Sequence, residues 1–458
     1  MTYLFLGIFL MMMGYFAYFQ VFRSEDVINS PYNKRQDTFG EHVVRGEIRS
    51  IDGNVLAQTI VGEDGSETRY YPYGSMFAHA VGYEANGKSG IESFANFNLL
   101  RSHSFFVERV FRGLQGEKNP GDNVVTTLDT RLQETAYNAL GGANGAVFVM
   151  EPTTGKILAM VSKPDFNPNT IAQDWEGIVS DENNSVLLNR VTQGLYPPGS
   201  TFKIFTVLQY IREHPDYSSY TYDCTGSLAV EDYEIHCSGN RVHGQEDLIT
   251  SFANSCNTSF ANIGLGLNRS DFSKLCDSLL FHTDLPTSYP SRQSSFVLSQ
   301  DTSDSQVMQT AIGQGETLMT PMHLGLVTSA IANNGVLMRP YIIDHTENDQ
   351  GIAVKEYQPS SYGTILSEED CRRMQEFMGR VVSDGTGTGL LGGNYQAAGK
   401  TGSAEYSNTK GQSHAWFTGY ASNEAKGSLV VTVIVEGGGS GKETAVPIAR
   451  ALFDTYFQ

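Results

Sequence analysis

Three short stretches decide the fold of this chain: Ser200-Thr201-Phe202-Lys203, Ser255-Cys256-Asn257 and Lys400-Thr401-Gly402. In this order they supply a hydroxyl nucleophile with a base, a second hydroxyl with an amide, and a cation beside small residues. That combination suits nucleophilic attack on an amide that lies next to a free carboxylate. The first two motifs recur easily by chance, and no single motif carries the argument, so the prediction rests on the whole set and its order.

The first stretch begins with Ser200, which follows the turn-forming segment 196–199. An apolar run continues to Ile211 and predicts a buried helix over 200–213. On that helix Ser200 and Lys203 share a face, because they are three positions apart. A lysine held in an apolar pocket can lose its charge and take the serine proton. The free N–H groups at the helix start can stabilise a developing oxyanion.

Competing copies of the first two motifs exist, a Ser-x-x-Lys at 407–410 and a Ser-x-Asn at 238–240. Both lie in polar or turn-like segments, without a helix to fix their side chains. Ser255 and Asn257 instead lie in an apolar helical pattern near 246–263. There the hydroxyl can relay a proton to a leaving amine, and the amide can hold the lysine and a substrate carbonyl. The alternative is a helix cap or a hydrogen-bonded core amide.

The Lys400 stretch, which continues to Ser403, has no second copy in the sequence. Small residues on a strand allow a substrate backbone to lie alongside as an added strand. Lys400 and the hydroxyls of Thr401 and Ser403 can hold a carboxylate. The backbone N–H groups of Ser403 and Ser200 can together form an oxyanion hole. The alternative for this stretch, including Gly402, is an ordinary strand end at a turn.

With these motifs in this order, the chain resembles penicillin-binding proteins of the serine transpeptidase superfamily. The resemblance covers residues 124–458 and includes three further stretches, Ile312-Gly313-Gln314-Gly315, Gly385-Thr386-Gly387 and His414-Ala415-Trp416-Phe417. Upstream, 45–48 and 53–57 predict two strands around a turn. They resemble the pedestal of class B, monofunctional members, with Ser50-Ile51-Asp52 in place of the usual Asp-Arg-Asn. The overall likeness is to the small class B type of Gram-positive bacteria.

The resemblance implies a peptidoglycan D,D-transpeptidase that cross-links stem peptides and releases D-Ala. Ser200 would attack the penultimate D-Ala carbonyl, and a neighbouring amine would receive the acyl group. Lys203 would be the base, Ser255 the proton relay, and Asn257 would position the substrate. The residues that would bind the terminal carboxylate are Lys400, Thr401, Gly402 and Ser403. β-Lactams would be bound covalently at the same serine, and neither a cofactor nor a metal is implied.

Two kinds of alternative stay open at this stage. A D,D-carboxypeptidase or a serine β-lactamase could use the same fold and the same acyl-enzyme. A non-catalytic β-lactam sensor or wall-assembly scaffold could keep the fold without turnover. A sensor would need an output module that the sequence before Tyr3 does not supply, and a scaffold would not need the complete set of catalytic residues.

The predicted fold class is α+β, with one antiparallel sheet covered by helices. A hairpin is predicted over 145–151 and 156–162, and later strands at 396–402, 414–422 and 428–437. Further predicted helices lie at 129–140, 321–332, 367–382 and 445–457. The predicted regions are an anchor at 1–23, a small β-containing pedestal or dimerisation-like module at 24–123, and a penicillin-binding transpeptidase domain at 124–458.

The anchor prediction rests on the uncharged apolar stretch from Tyr3 to Phe22, which is long enough to span a bilayer. Basic residues follow this stretch, at Arg23, Lys34 and Arg35, so the positive-inside rule does not place the catalytic domain outside. The resemblance does, because the wall substrate is extracytoplasmic. It implies a single-pass protein of the cell membrane, with a polytopic glycan polymerase as a partner.

Charge and cysteine content complete the prediction. A formal net charge of −19 argues against nucleic-acid binding. The chain has five cysteines, an odd number that excludes a fully paired framework. Cys224 and Cys237 bracket a predicted hairpin, so they could form a disulfide or remain two buried thiols. The histidines show no recognisable metal-ligand spacing, and Cys256 is interpreted as a small packing residue.

Overall fold

A computed structural model describes residues 2–22, 40–406 and 412–458 of the chain. The second Ser-x-x-Lys copy at 407–410 and the basic residues Arg23, Lys34 and Arg35 lie outside the described residues.

The chain forms two compact units, which are not contiguous in sequence. The first comprises residues 1–126, 167–181 and 343–357, and the second comprises residues 127–166, 182–342 and 358–458. The boundary predicted at residue 123 stays a prediction, and the two later segments of the first unit were not anticipated.

The first unit contains a six-stranded sheet among its described residues. The strands, in spatial order, are Ala353–Glu356, Ile343–Glu347, Asn123–Thr126, Ile48–Arg49, Val55–Val61 and Glu67–Tyr70. The predicted hairpin is present, since Ile48 pairs with Ala57 around a turn in which Gly53 has a positive φ of 84°. Besides the N-terminal helix, the α-helices that the structure describes in this unit are Ala78–Val81, Gly90–Phe94, Asn96–Leu99, Phe106–Gln115 and Ile171–Ser180.

The N-terminal helix, Thr2–Phe22, has 21 residues and carries no acidic or basic side chain. Its stretch Thr2–Gln20 is long and apolar enough to cross a membrane. The side chains of residues 2–18 and 20 are exposed, as expected of a helix whose apolar surface has no protein to bury it, and that of Phe19 is half-buried.

The second unit is built on a five-stranded antiparallel sheet, as the sequence predicts. The strands, in spatial order, are Gln396–Glu405, Ser413–Asn423, Gly427–Val435, Gly145–Met150 and Ile157–Lys163. Short two-stranded pairs accompany it, namely Thr221–Cys224 with Gly244–Asp247, Ser227–Val230 with Tyr233–His236, and Val336–Met338 with Ser361–Thr364.

Helices cover both faces of this sheet. Pro321–Ala332 is buried almost throughout and packs on one face, which explains why it is apolar all round. Thr130–Leu140 and Val446–Phe457 pack together on the other face. The remaining α-helices of the unit are Arg190–Gln193, Lys203–Glu213, Leu248–Ala253, Asn257–Gly266, Arg269–Ser278, Asp304–Ala311 and Glu368–Ser383. The α+β prediction is therefore confirmed.

Two predicted helices differ from the structure in detail. The helix predicted over 200–213 begins as a 3-10 turn, Gly199–Phe202, before the α-helix starts at Lys203. The helix predicted over 246–263 is broken in two, because Ser255 adopts a left-handed conformation with φ of 58°. A non-glycine residue in that region ends a helix.

Candidate active site

The Ser200 turn is fixed by close backbone packing. Gly199 has a φ of 54°, and its N–H donates to the carbonyl oxygen of Gly313 at 2.8 Å. A Cβ atom on Gly313 would lie 2.1 Å from the carbonyl oxygen of Gly199, so both positions require glycine. Ser200 follows directly, is half-buried and lines an open cleft of about 1180 Å³. Its hydroxyl forms no hydrogen bond within the part of the chain that the structure describes.

Lys203 lies one turn after Ser200, and its side chain is completely buried. Its Nζ donates to the Ser255 carbonyl oxygen at 2.8 Å, to Asn257 Oδ1 at 2.8 Å and to Ser255 Oγ at 3.3 Å. The ammonium also lies 5.3 Å from the centre of the Phe260 ring. Burial lowers the pKa of Lys203 to about 8, so a neutral amine is accessible near physiological pH.

The loop that carries Ser255 places its hydroxyl between two lysines. Ser255 lies in the break between Leu248–Ala253 and Asn257–Gly266. Ser255 Oγ accepts from Lys400 Nζ at 2.9 Å as well as from Lys203. Asn257 Nδ2 donates to the His236 carbonyl oxygen at 3.0 Å, which fixes the amide so that its oxygen faces Lys203.

Lys400 lies on Gln396–Glu405, the edge strand of the sheet, and is also completely buried. Its Nζ donates to the carbonyl oxygen of Thr401 at 3.0 Å in addition to Ser255. Burial and the nearby charge of Lys203 hold the pKa of Lys400 well below its ordinary value. An incoming anion would counter both effects and favour the charged ammonium.

The edge strand lies against the Ser200 turn because Gly402 has no side chain. A Cβ atom there would lie 3.0 Å from the carbonyl oxygen of Pro198 and 3.0 Å from Thr201 Cγ2. Ser403, the next residue, is exposed to the cleft, and its Oγ accepts from the N–H of Gly441 at 3.3 Å. The strand pairs with Ser413–Asn423 on one side and with no strand on the other, within the described residues.

The structure therefore brings all eight predicted site residues to one region: Ser200, Lys203, Ser255, Asn257, Lys400, Thr401, Gly402 and Ser403. The competing Ser238-Gly239-Asn240 lies in a short turn that lines the same cleft and does not contact the buried lysines.

Thr386 is a cleft residue to which the sequence reasoning gave no role. Its Oγ1 lies 2.6 Å from Thr401 Oγ1, and its N–H donates to the carbonyl oxygen of Ala253 at 3.2 Å. It therefore connects the Lys400 strand with the helix before Ser255. The flanking glycines of Gly385-Thr386-Gly387 were the available signal, since a Cβ on Gly385 would lie 2.3 Å from the Ala253 oxygen.

Comparison with known proteins agrees with this geometry. Residues 145–454 match the penicillin binding protein transpeptidase domain. The chain belongs to the penicillin-binding protein transpeptidase family. Residues 45–124 match the penicillin binding protein A dimerisation domain, which agrees with the expected class B organisation of a pedestal followed by a catalytic domain.

Individual relatives cover nearly the whole chain. It is 29% identical to the peptidoglycan D,D-transpeptidase PbpA of Mycolicibacterium smegmatis, over 94% of this chain and 93% of the relative. The ceftriaxone acyl-enzyme complex of penicillin-binding protein A from M. tuberculosis superposes with a TM-score of 0.82 at 25% identity, covering 92% and 100% of the two chains. A D,D-transpeptidase domain from Eggerthella lenta gives 0.79 at 29% identity, covering 90% and 97%.

Proposed function

We propose that this protein is a peptidoglycan D,D-transpeptidase that forms its acyl-enzyme on Ser200. The observation that carries the proposal is the pair of buried lysines that share the hydroxyl of Ser255. Nearby, Ser200 is half-buried and has no hydrogen-bond partner for its hydroxyl among the described residues. Buried ammonium groups are costly, and their depressed pKa values suit them to proton transfer and anion binding.

Acylation needs one proton to leave Ser200 and one to reach the leaving amine. Lys203, in its neutral form, takes the Ser200 proton as the oxygen attacks the penultimate D-Ala carbonyl. The Ser255 hydroxyl, which accepts N–H bonds from both lysines, keeps its own proton free to donate to the D-Ala nitrogen. Lys203 then returns a proton to Ser255, and the ester on Ser200 awaits the acceptor amine.

Substrate binding uses the edge of Gln396–Glu405 that pairs with no other strand in the described part of the chain. The stem peptide adds as a further strand on this edge, where backbone hydrogen bonds hold it in register. Its terminal carboxylate lies near Lys400, with the hydroxyls of Thr401 and Ser403 as further donors. The backbone N–H groups of Ser200 and Ser403 polarise the scissile carbonyl.

The apolar helix Thr2–Phe22 anchors the protein in the cell membrane, with the catalytic unit on the outer side, where the wall substrate lies.

A polytopic glycan polymerase is the proposed partner of the pedestal. Support comes from the helix Phe106–Gln115, whose exposed apolar face suits an intramembrane or juxtamembrane protein partner. The apolar side chains of this face are Phe106, Val107, Val110, Phe111 and Leu114. Site-specific photocrosslinking from Phe111 to a co-expressed polymerase tests it, with exposed Val242 as a control position.

The reaction itself is tested with a stem pentapeptide and an amine acceptor, analysed by mass spectrometry. A transpeptidase releases D-Ala and yields the cross-linked product, whereas a D,D-carboxypeptidase yields only the shortened peptide. If a folded, penicillin-reactive protein formed neither product, the proposed substrate would be contradicted. Ser200 would still be the nucleophile that reacts with penicillin.

A further inference from the structure

The edge strand of the catalytic sheet offers backbone hydrogen-bonding groups to the cleft at alternate residues. Along an antiparallel strand, successive residues direct their N–H and C=O groups to opposite sides. The N–H of Tyr406 donates to the Gln412 carbonyl oxygen at 3.3 Å, in the direction of the neighbouring strand. Thr401, Ser403 and Glu405 therefore direct their backbone groups to the other side, where no strand pairs within the described residues.

The side chain of Gln314 occupies the backbone groups of Glu405 on this edge. With the amide oriented so that both of its polar atoms are satisfied, Gln314 Nε2 donates to the Glu405 carbonyl oxygen at 3.3 Å, and Gln314 Oε1 accepts from the Glu405 N–H at 3.1 Å. An amide that exchanges both bonds with one residue takes the place that a residue of an added strand would take. Both residues line the cleft, so the edge is closed to a substrate at Glu405.

Backbone contacts hold Gln314 in this position. Its N–H donates to the carbonyl oxygen of Gln309 at 2.9 Å, near the end of a helix. The preceding residue, Gly313, has a φ of 74° and packs directly on Gly199. The Gln314 side chain therefore starts from a fixed point beside the catalytic turn and reaches across to the end of the edge strand.

The other end of this edge is occupied as well. The carbonyl oxygen of Thr401 accepts from Lys400 Nζ at 3.0 Å. Ser403 lies between the two occupied positions, so its N–H and C=O are where a substrate backbone can pair. An added antiparallel strand would exchange its next pair of bonds two residues earlier in the substrate, opposite Glu405.

We propose that Gln314 is a specificity-determining residue that ends substrate pairing at Ser403. The penultimate D-Ala exchanges both of its backbone hydrogen bonds with Ser403, and the residue two positions before it finds Glu405 already paired with Gln314. The stem peptide leaves the sheet at this point. The cleft therefore recognises the D-Ala-D-Ala end and gains little from the upstream part of the stem. This inference rests on the proposed function, because it uses the same added strand.

A purely structural role of Gln314 predicts a different result. A side chain that only tethers its loop to the edge strand would, when removed, change the reaction of short and long substrates by the same factor. A side chain that closes the edge instead changes how the rate depends on the length of the substrate. The test therefore compares two ligands in each variant, as in a double-mutant cycle.

The two ligands are penicillins that differ in the acyl group on their side-chain nitrogen. An acetyl group stops before the position opposite Glu405, whereas an N-acetylglycylglycyl group places a complete residue there. Acylation rates of the full chain in detergent are measured by intact mass. In the parent chain the two rates should agree within about twofold. In Gln314→Ala the longer penicillin should react at least about fivefold faster than the shorter one, because two backbone hydrogen bonds become available at Glu405.

Gln309→Ala is the matched control, because Gln309 lines the same cleft and makes no hydrogen bond to Glu405 in the part of the chain that the structure describes. It should keep the parental ratio of the two rates. Gln314→Met covers the case in which Gln314→Ala disturbs the loop. Methionine keeps the length of the side chain but has no amide, so we expect the same gain for the longer penicillin.

The same ratio of the two rates in the parent, Gln314→Ala and Gln314→Met would overturn the role of Gln314. A clear preference of the parent chain for the longer penicillin would overturn it too, since the edge at Glu405 would then be open. Absence of acylation by both penicillins would instead contradict the proposed function, and this inference with it.

Discussion

Lys203 and Lys400 direct their ammonium groups at the same oxygen: their Nζ atoms lie 3.3 and 2.9 Å from Ser255 Oγ. Both side chains are completely buried. Keeping both amines protonated costs free energy, because two like charges lie close together in a buried site. The arrangement favours one neutral lysine and one charged lysine, which is the division between a base and an anion binder.

The first prediction concerns pH. Because burial lowers the pKa of Lys203 to about 8, the neutral base is scarce below that value and predominant above it. The second-order rate of acylation by benzylpenicillin should therefore rise about tenfold per pH unit from about pH 6 and level off above about pH 8. Stopped-flow or quenched mass measurements provide the rates. A flat profile across this range would argue against Lys203 as the base.

Replacing Lys203 tests its role as the base directly. Lys203→Met keeps the length and apolar stem of the side chain but removes the amine. Acylation should slow by about 10² to 10⁴-fold, the usual contribution of a positioned base. The exposed Lys274→Met is the control and should acylate like the parent chain. Unchanged acylation in a folded Lys203→Met protein would assign the base elsewhere.

The third prediction concerns the contact between the edge strand and the Ser200 turn. In Gly402→Ala the new methyl would lie 3.0 Å from the Pro198 oxygen and 3.1 Å from Trp416 Cβ, so the strand must move away from the turn. We expect acylation to slow by at least about tenfold and the unfolding free energy to fall by about 1–3 kcal/mol. Denaturant unfolding and penicillin labelling measure the two effects.

Gly379→Ala is the matched control for that change. Gly379 lies inside the helix Glu368–Ser383 with open space around a built Cβ. This substitution should stabilise the protein by about 0.4–1 kcal/mol and leave acylation unchanged. Equal acylation rates and equal unfolding free energies in Gly402→Ala and Gly379→Ala would mean that the strand and the turn are not in close contact.

The fourth prediction concerns a buried ion cluster in the first unit. Glu92 is fully buried, and it accepts from Arg45 Nε and Arg69 Nε, each at 2.7 Å. Burial alone would raise the pKa of Glu92, but the two guanidinium groups outweigh burial and lower it. The carboxylate therefore stabilises the unit above the ordinary carboxyl pKa, and this stabilisation is lost as the pH falls through the lowered pKa.

Glu92→Gln leaves two guanidinium groups buried without an anion and should cost about 3–5 kcal/mol of unfolding free energy. The chain has two tryptophans, of which Trp175 belongs to this unit and Trp416 to the other. Unfolding followed by fluorescence in a Trp416→Phe background therefore reports on Trp175. The exposed Glu63→Gln should change stability by less than about 0.5 kcal/mol. If Glu92→Gln lowered the unfolding free energy by no more than Glu63→Gln does, the ion cluster would contribute little to the stability of this unit.

The elements that the sequence predicted well have a strong local pattern. Pro321–Ala332 matches its predicted limits, because proline at its start and a uniformly apolar composition mark a buried helix. The Lys400 strand was predicted for its small residues and extends three residues further, to Glu405. The eight candidate site residues stay a prediction in their roles, and the motifs could single them out because each fixes chemistry and spacing within a few positions.

The features that were missed depend on contacts between distant residues. The first unit includes Ile343–Glu347, where Glu347 forms an ion pair with Arg49, nearly 300 positions earlier. No local sequence pattern predicts such a pairing. The break at Ser255 follows from a left-handed residue within an otherwise helical pattern. The sequence also did not predict that Cys256 would join Cys224 and Cys237, although the sulfur atoms of Cys224 and Cys237 lie 3.7 Å apart, as do those of Cys237 and Cys256.

Ser200 as the nucleophile is tested by the intact mass of the full-length protein in detergent after mixing with benzylpenicillin, followed for hours. We expect one stable adduct per chain, located on the peptide that contains Ser200 and absent from a folded Ser200→Ala variant. Rapid return to the free mass would indicate a β-lactamase. No adduct on the parent chain, or an adduct that persists in Ser200→Ala, would contradict the assignment of Ser200 as the nucleophile.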